Sequence, residues 1–188
     1  MPIPQRNALC FIDLFDAILT LINAGSPSVI YGEGTIMPRA PFQVLVYPYH
    51  RVGENDFVYA LFKRSDAGYW QAIAGGGEDD ETPLEAAKRE TFDEAGIARE
   101  SDFIQLDTIE SVPVTEFSDS YLWGDELYVI PQYCFGVLTK EAAIVLSHEH
   151  SEYRWLTYQE AAAMVKFDGN RTALWELDRR LRGKGPRD

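Results

Sequence analysis

The stretch from Gly75 to Ile97, GGGEDDETPLEAAKRETFDEAGI, constrains this chain more than any other. Three glycines lead into a charged segment whose start and stop are both written in the sequence. Thr82 and Glu85 form a capping box, in which each side chain satisfies a backbone N–H that has no partner inside the helix. Pro83 stands at the first helical position, where its missing N–H costs nothing. Gly96 supplies the left-handed residue that ends a helix. The spacing predicts a helix over 83–95, fed by a glycine-rich loop.

Glu90, Asp93 and Glu94 fall on one side of that helix. Like charges at these spacings repel by roughly 0.2–0.5 kcal/mol per pair, so stability alone would not select them. Arg89 can pair with Glu85 or Asp93, but it points off the direction of Glu90 and Glu94. A hard divalent cation is the natural counter-charge, and Mg²⁺ sits on a few carboxylates plus substrate phosphates. Glycines ahead of the helix let the backbone come close to a ligand. The bland alternative is a solvated acidic face. It suffices for one glutamate pair and not for the whole set.

The full spacing resembles the Nudix box, G-x5-E-x7-R-E-U-x-E-E-x-G-U, where U is bulky and aliphatic. Gly75, Glu81, Arg89, Glu90, Glu94, Gly96 and Ile97 match it. Thr91 stands where an aliphatic residue is usual. Asp93 replaces the first glutamate of the pair, keeping the charge and shortening the reach by one methylene. The resemblance implies an α/β fold, a Nudix-type α/β/α sandwich with a mixed β-sheet. It implies Mg²⁺ as cofactor, with Mn²⁺ as the alternative, held by Glu90, Asp93 and Glu94, with Asp93 acting directly or through water.

Other roles follow from the same resemblance. Arg89 orients a carboxylate by an ion pair, Glu81 holds the loop, and Gly96 is structural in the box. The Gly75 and Gly76 backbone offers a carbonyl or N–H to substrate. Family members carry a glutamate on a loop facing the box helix, as metal ligand or general base. Glu149, in EHSEYRWL, is the candidate, and Glu152 is its competitor with a salt bridge as its plain role. The base stays open between Glu90 and Glu149. Three pieces, KRSDAGYWQAIAGGGEDDET, EHSEYRWL and GNRTALWEL, are similar to the dihydroneopterin triphosphate pyrophosphatase branch of the family.

Composition bounds the partners. The chain has 188 residues, a net charge of −13 and 46% apolar side chains, which fits one cored domain with an appendage. Such acidity argues against a nucleic-acid backbone, which is held by Lys and Arg. An anionic substrate meets an unfavourable field, so metal ions and a few placed cations must attract it. Cys10 and Cys134 make no disulfide framework and read as free thiols in a reducing cytosol. The most apolar run, Ala8 to Ile22, is too short to cross a membrane, and Asp13 and Asp16 break it. A cytoplasmic protein with no membrane partner is expected.

Along the chain, residues 1–40 read as an N-terminal helical extension. Phe11, Leu14, Phe15, Ile18 and Ile22 recur at helical offsets, a face that covers the main domain or forms a homodimer. Residues 41–182 make the Nudix domain, and 183–188 a mobile tail. Strands are expected over 42–49, 57–63, 69–74, 102–114, 128–138 and 153–156. Thr157 and Glu160 form a second capping box, and a last helix runs from Asn170 to Leu181. Pro131 hints at an edge or a bulge. Without regular βαβ alternation, a mixed sheet between helices is expected.

Substrate-binding candidates are Arg64, at a strand end, for phosphate oxygens, and Trp70 with Tyr69 for a heterocycle. Both aromatics have core packing as the commoner fate. Tyr121 and Trp123 sit in a loop and are harder to bury. Trp175 reads as packing. His148 and His150 read poorly as transition-metal ligands. The expected activity is Mg²⁺-dependent hydrolysis of a nucleoside or pterin triphosphate to a monophosphate and pyrophosphate. An ADP-ribose or nucleotide-sugar pyrophosphatase is the alternative. A silent Nudix-fold nucleotide sensor is the alternative of another class.

Overall fold

The computed structural model describes residues 39–140 and 143–185. The predicted N-terminal helix with the Phe11–Ile22 face, and with it the dimer contact, lies outside these residues. The elements run β1 (Arg39–Arg51), β2 (Phe57–Arg64), β3 (Trp70–Gln71), β4 (Ile73–Glu78), α1 (Pro83–Ala95), β5 (Phe103–Pro113), β6 (Val129–Leu138), β7 (His150–Leu156), α2 (Tyr158–Met164) and α3 (Asp168–Leu181). Short 3-10 turns at Val114–Glu116 and Ser120–Trp123 occupy the loop after β5.

The described strands form one mixed sheet. Its path is β3-β2-β1-β6-β5, with β4 on β1 and β7 on β2. Only β1 and β6 pair in parallel among these ladders. The segment 70–78 changes partner part-way. Trp70 and Gln71 pair with β2, and Ile73 onward pairs with β1. It fills the fork where β1 and β2 part after a short ladder at Tyr49–Arg51.

Strand alternation sends side chains to two cores. Val44, Val46, Ala60, Phe62, Ile73 and Phe135 pack with Ala86, Ala87 and Ala95 of α1. Leu45, Tyr47, Tyr59, Leu61 and Cys134 pack with Ala161, Ala173, Leu174 and Leu177 of α2 and α3. With both faces covered, the strands read as near-continuous apolar runs, and the expected sandwich results. Polar tips buried on the second face are paired. Tyr47 donates to Asn170 O at 2.9 Å and Tyr59 to Asp178 at 2.8 Å. No helix among the described residues is long and apolar enough to cross a membrane.

Both capping boxes form as read, at Thr82 with Glu85 and at Thr157 with Glu160. Gly96 closes α1 at φ 67°, in the left-handed region. Three details differ from the sequence reading. Gly75, Gly76 and Gly77 are strand β4 itself and not a loop, because β1 supplies their hydrogen-bond partners. Strand β7 starts at His150, paired to Arg64. Trp175 is 38% exposed, with Arg179 near its ring, rather than packed inside. Pro131 sits just before the parallel ladder with β1 begins at Gln132, where a missing N–H costs little.

Candidate active site

The glycine strand sets the site. No side chain rises from Gly75 and Gly76, which pair with Val44 and Gln43 of β1. A methyl group on Gly75 would lie 2.0 Å from Glu90 Cδ, and one on Gly76 would lie 2.7 Å from Arg39 Cζ. Glu90 and Arg39 therefore rest directly on strand backbone, an approach that only glycine permits.

Arg89 fastens helix to strand. Its Nε and Nη2 bond both Glu81 carboxylate oxygens at 2.9 Å, and Nη2 also donates to Gly76 O at 2.7 Å. Nη1 lies 2.9 Å from Glu90 Oε1, and Nε lies 3.5 Å from Glu78. The expected partners Glu85 and Asp93 are not used. Helical side chains lean toward the N-terminus, which carries this guanidinium back over the strand. The Arg89 hydrogen bonds hold the Glu81 carboxyl below its ordinary value, against the opposing effect of burial.

Glu94 lies one turn beyond Glu90 and is 3% exposed. Its Oε2 has no hydrogen-bond partner. The nearest cationic candidate is Nδ1 of His150, 3.5 Å away. Burial lowers the His150 pKa, and the Arg64 charge lowers it further, so the ring is a neutral neighbour. Burial, then the charges of Glu90 and Glu149, pushes the Glu94 carboxyl up to about 9. Burial also raises Glu90, opposed by Arg89.

Glu149 arrives from the loop before β7. That loop docks on the end of α1 through Val145 N to Ala95 O and Ser147 N to Glu94 O, both 3.1 Å. Glu149 Oε2 accepts from Arg64 Nη1 at 3.0 Å, while Arg64 also grips both oxygens of Asp66 at 2.7 and 3.0 Å.

These groups line a cavity of about 460 Å³. Glu90, Glu94 and Glu149 make its acidic end, and Arg39 and Arg64 supply positive charge. The Arg39 guanidinium lies 5.0 Å from the Phe117 ring, and Trp123 Nε1 donates to Arg39 O at 2.8 Å. Amide and aromatic side chains of Gln43, Gln71, Gln132, Asn170, Tyr69 and Phe167 also line it, together with Glu110, Glu116 and small or aliphatic residues.

A model of the NUDIX domain matches residues 44–175. This chain belongs to the Nudix family. The dihydroneopterin triphosphate diphosphatase of Escherichia coli K12 is 30% identical to it over 140 residues, 72% of this chain and 91% of that one. A NUDIX hydrolase of Listeria monocytogenes of known structure is 38% identical, with a TM-score of 0.68 over 78% of this chain and 99% of its own. The structure of the E. coli dihydroneopterin triphosphate pyrophosphohydrolase gives 26% identity and a TM-score of 0.60, over 72% of this chain and 93% of its own. The protein is a Nudix pyrophosphohydrolase, an enzyme of small phosphorylated compounds.

The structure sorts the residues that the Nudix box and its surroundings suggest. Glu90, Glu94, Glu149, Arg64, Gly75 and Gly76 meet in the cavity. Arg89 and Glu81 stand behind it, and Gly96 closes the helix. Asp93, Trp70 and Tyr121 are not brought there. Asp93 lies about 100° around the helix from Glu94 at 3.6 residues per turn. With Glu94 turned inward, Asp93 faces out, 49% exposed and 3.8 Å from Arg99. Alternation turns Trp70 onto the α2–α3 core under Arg154, while Tyr69 reaches the cavity. Tyr121 is 63% exposed, and the neighbouring Phe117 lines the cavity in its place. Glu152 has its plain role, 2.6 Å from Arg154.

Sequence reasoning missed Arg39, Gln43, Glu110 and Gln132. A signal existed. Gln43 and Gln132 are carboxamides inside otherwise apolar strand runs, and a buried polar group needs a partner.

Proposed function

We propose that this enzyme is Mg²⁺-dependent and cleaves a nucleoside or pterin triphosphate to a monophosphate and pyrophosphate. The observation that carries this reading is Glu94, a buried carboxylate in the cavity with an oxygen that no group of the protein satisfies. Burying such a charge unpaired is expensive, and a cation is the missing partner.

The donor set fits a hard divalent ion, with oxygen ligands on Glu90, Glu94 and Glu149. Among the described residues no three acidic, histidine or cysteine side chains enclose an ion as they stand. The ion pairs supply a reason. Arg89 holds Glu90 at 2.9 Å and Arg64 holds Glu149 at 3.0 Å, each carboxylate turned to its own guanidinium. When bound, Mg²⁺ offsets phosphate charge and makes a nearby water more acidic.

The protein does the rest. Arg64 and Arg39 attract the polyphosphate in an acidic chain. The Gly75–Gly76 strand lets it approach the backbone. Glu90 or Glu149 takes the proton from the attacking water. The water oxygen bonds to the α- or the β-phosphorus, the bond from that phosphorus to the oxygen bridging the two breaks, and its electron pair stays on the bridging oxygen of the departing group, so that monophosphate and pyrophosphate result either way. Pyrophosphate and phosphate release would be measured with Mg²⁺ on dihydroneopterin triphosphate, the nucleoside triphosphates and ADP-ribose. Pyrophosphate from a triphosphate supports the reading. Turnover of ADP-ribose alone replaces the substrate class, and no turnover of any compound removes the hydrolytic reading.

A further inference from the structure

Four neighbouring strands set one row of residues across the sheet. Glu110 of β5 is the register partner of Gln132 on β6, which partners Gln43 on β1, which partners Gly76 on β4. Direct partners share a face, so the row is continuous. At roughly 4.8 Å per strand, Glu110 stands about 14 Å from Gly76, where Arg89 and the acidic end begin. Glu110, Gln132, Gln43 and Gly76 all line the same cavity.

The row carries two amides and one carboxylate. Gln132 is 4% exposed and donates its Nε2 to Glu110 Oε2 at 2.9 Å. That bond fixes the amide and leaves its carbonyl oxygen as the free end. Gln43 Oε1 is buried without a partner. Glu110 lies against the start of α3, where a methyl group on Gly169 would fall 2.0 Å from its Cδ. Burial raises the pKa of that carboxylate, opposed by the Gly169 N–H beside it. An ionised carboxylate has about four acceptor positions, so with Gln132 on one of them about three remain. At Glu110 the free capacity is acceptor capacity alone, since an ionised carboxylate has no hydrogen to donate.

We propose that this row reads the heterocycle of the substrate, and that Glu110 selects an edge carrying two adjacent N–H donors. The 2-amino-6-oxo edge of guanine and the 2-amino-4-oxo edge of pterins both have that pattern, a ring N–H beside an exocyclic amino group. The adenine edge sets a ring-nitrogen acceptor beside its amino group and would face the carboxylate with a lone pair. A site built to accept hydrogen bonds rejects the analogue that lacks the donors, because its own buried groups stay unpaired.

The inference rests on the hydrolytic reading above, and its test separates the two. kcat/KM is compared for GTP, ITP and ATP with Mg²⁺, in the natural protein and in Glu110→Gln. GTP should exceed ATP by at least about 30-fold, and ITP, which lacks the exocyclic amino group, should fall between them. Glu110→Gln should collapse the GTP-to-ATP ratio by about tenfold or more. A purely structural role would lower both substrates together and leave the ratio unchanged, which would overturn the proposal. Comparable rates for the three nucleotides in the natural protein would overturn it without any variant. If none of the three is hydrolysed, equilibrium binding of GMP against AMP decides the row, with equal affinity counting against it.

Discussion

Two glutamates of this protein, Glu94 buried and Glu176 partly buried, have opposite surroundings. Glu176 on α3 accepts from Asp107 N at 2.7 Å, Thr108 N at 2.9 Å and Thr108 Oγ1 at 2.5 Å, and pairs with Arg180. Burial works against its charge, yet these hydrogen bonds win and its pKa lies below the ordinary value. Glu94 on α1 has an oxygen with no partner and like charges nearby, and its carboxyl is pushed up to about 9. One carboxylate is spent on holding α3 against β5. The other is kept unspent at a cost in stability. A fold tolerates the second kind only where something outside the chain completes it.

Glu94→Gln should break the contrast most. Pyrophosphate release should fall by at least about 10²-fold, the scale lost with a charge-stabilising or acid–base group. The metal-free melting temperature should hold or rise near neutral pH, because folding no longer has to keep a proton on a glutamate that ionises freely in the unfolded chain. Near-full activity would remove the box from catalysis.

Glu149→Gln tests the other acidic wall. Turnover should drop at least about tenfold. The melting temperature should barely move, since the Arg64 pair is half exposed and such pairs contribute roughly 0–1 kcal/mol. Unchanged turnover would assign the water's proton to Glu90.

The two glutamates should also differ in sign on a pH scale. Between the ordinary glutamate value of 4.5 and about 9, native Glu94 keeps a proton that the unfolded chain has lost. Metal-free stability therefore falls as pH rises through that window. Glu176, with its value lowered, contributes stability above the ordinary value and loses it as pH falls through its folded value. Melting curves in chelator from pH 4 to 9 should show both limbs. Glu94→Gln should flatten the alkaline limb alone, and added Mg²⁺ should raise the melting temperature more at pH 8.5 than at pH 6.

The smallest effect is Glu176→Ala. It should cost about 1–3 kcal/mol by orphaning donors beside β5, with kcat retained at a temperature where the variant stays folded. A drop in kcat as large as that of Glu94→Gln would erase the distinction.

What the sequence made legible was local. Thr82, Glu85, Pro83 and Gly96 interact within a few residues, so the helix bounds were readable to the residue. The box spacing lies within one helix and the turn before it, so Glu90 and Glu94 could be named. Asp93 was harder. Helical spacing puts it near Glu90, and only the docking of α1 on the sheet decides which side of Glu90 faces in. Gly75–Gly77 read as a loop because glycine is a poor strand former; their pairing with Arg39–Val46 is a distant partnership that overrides propensity. Arg39, Gln43, Gln132 and Glu110 come together only through the register of four strands, information that no short window holds.

Arg89 has a mechanical consequence. One side chain is bonded to the Gly76 carbonyl in β4, to Glu81 in the turn and to Glu90 on α1. Strand and turn cannot leave the helix without giving up the Arg89 bonds to Gly76 and Glu81. Amide exchange over 75–78 and 85–95 should then proceed through one shared opening event, slower than in the loop after β5, so that the hydrolytic end of the cavity persists or is lost as a single cooperative unit.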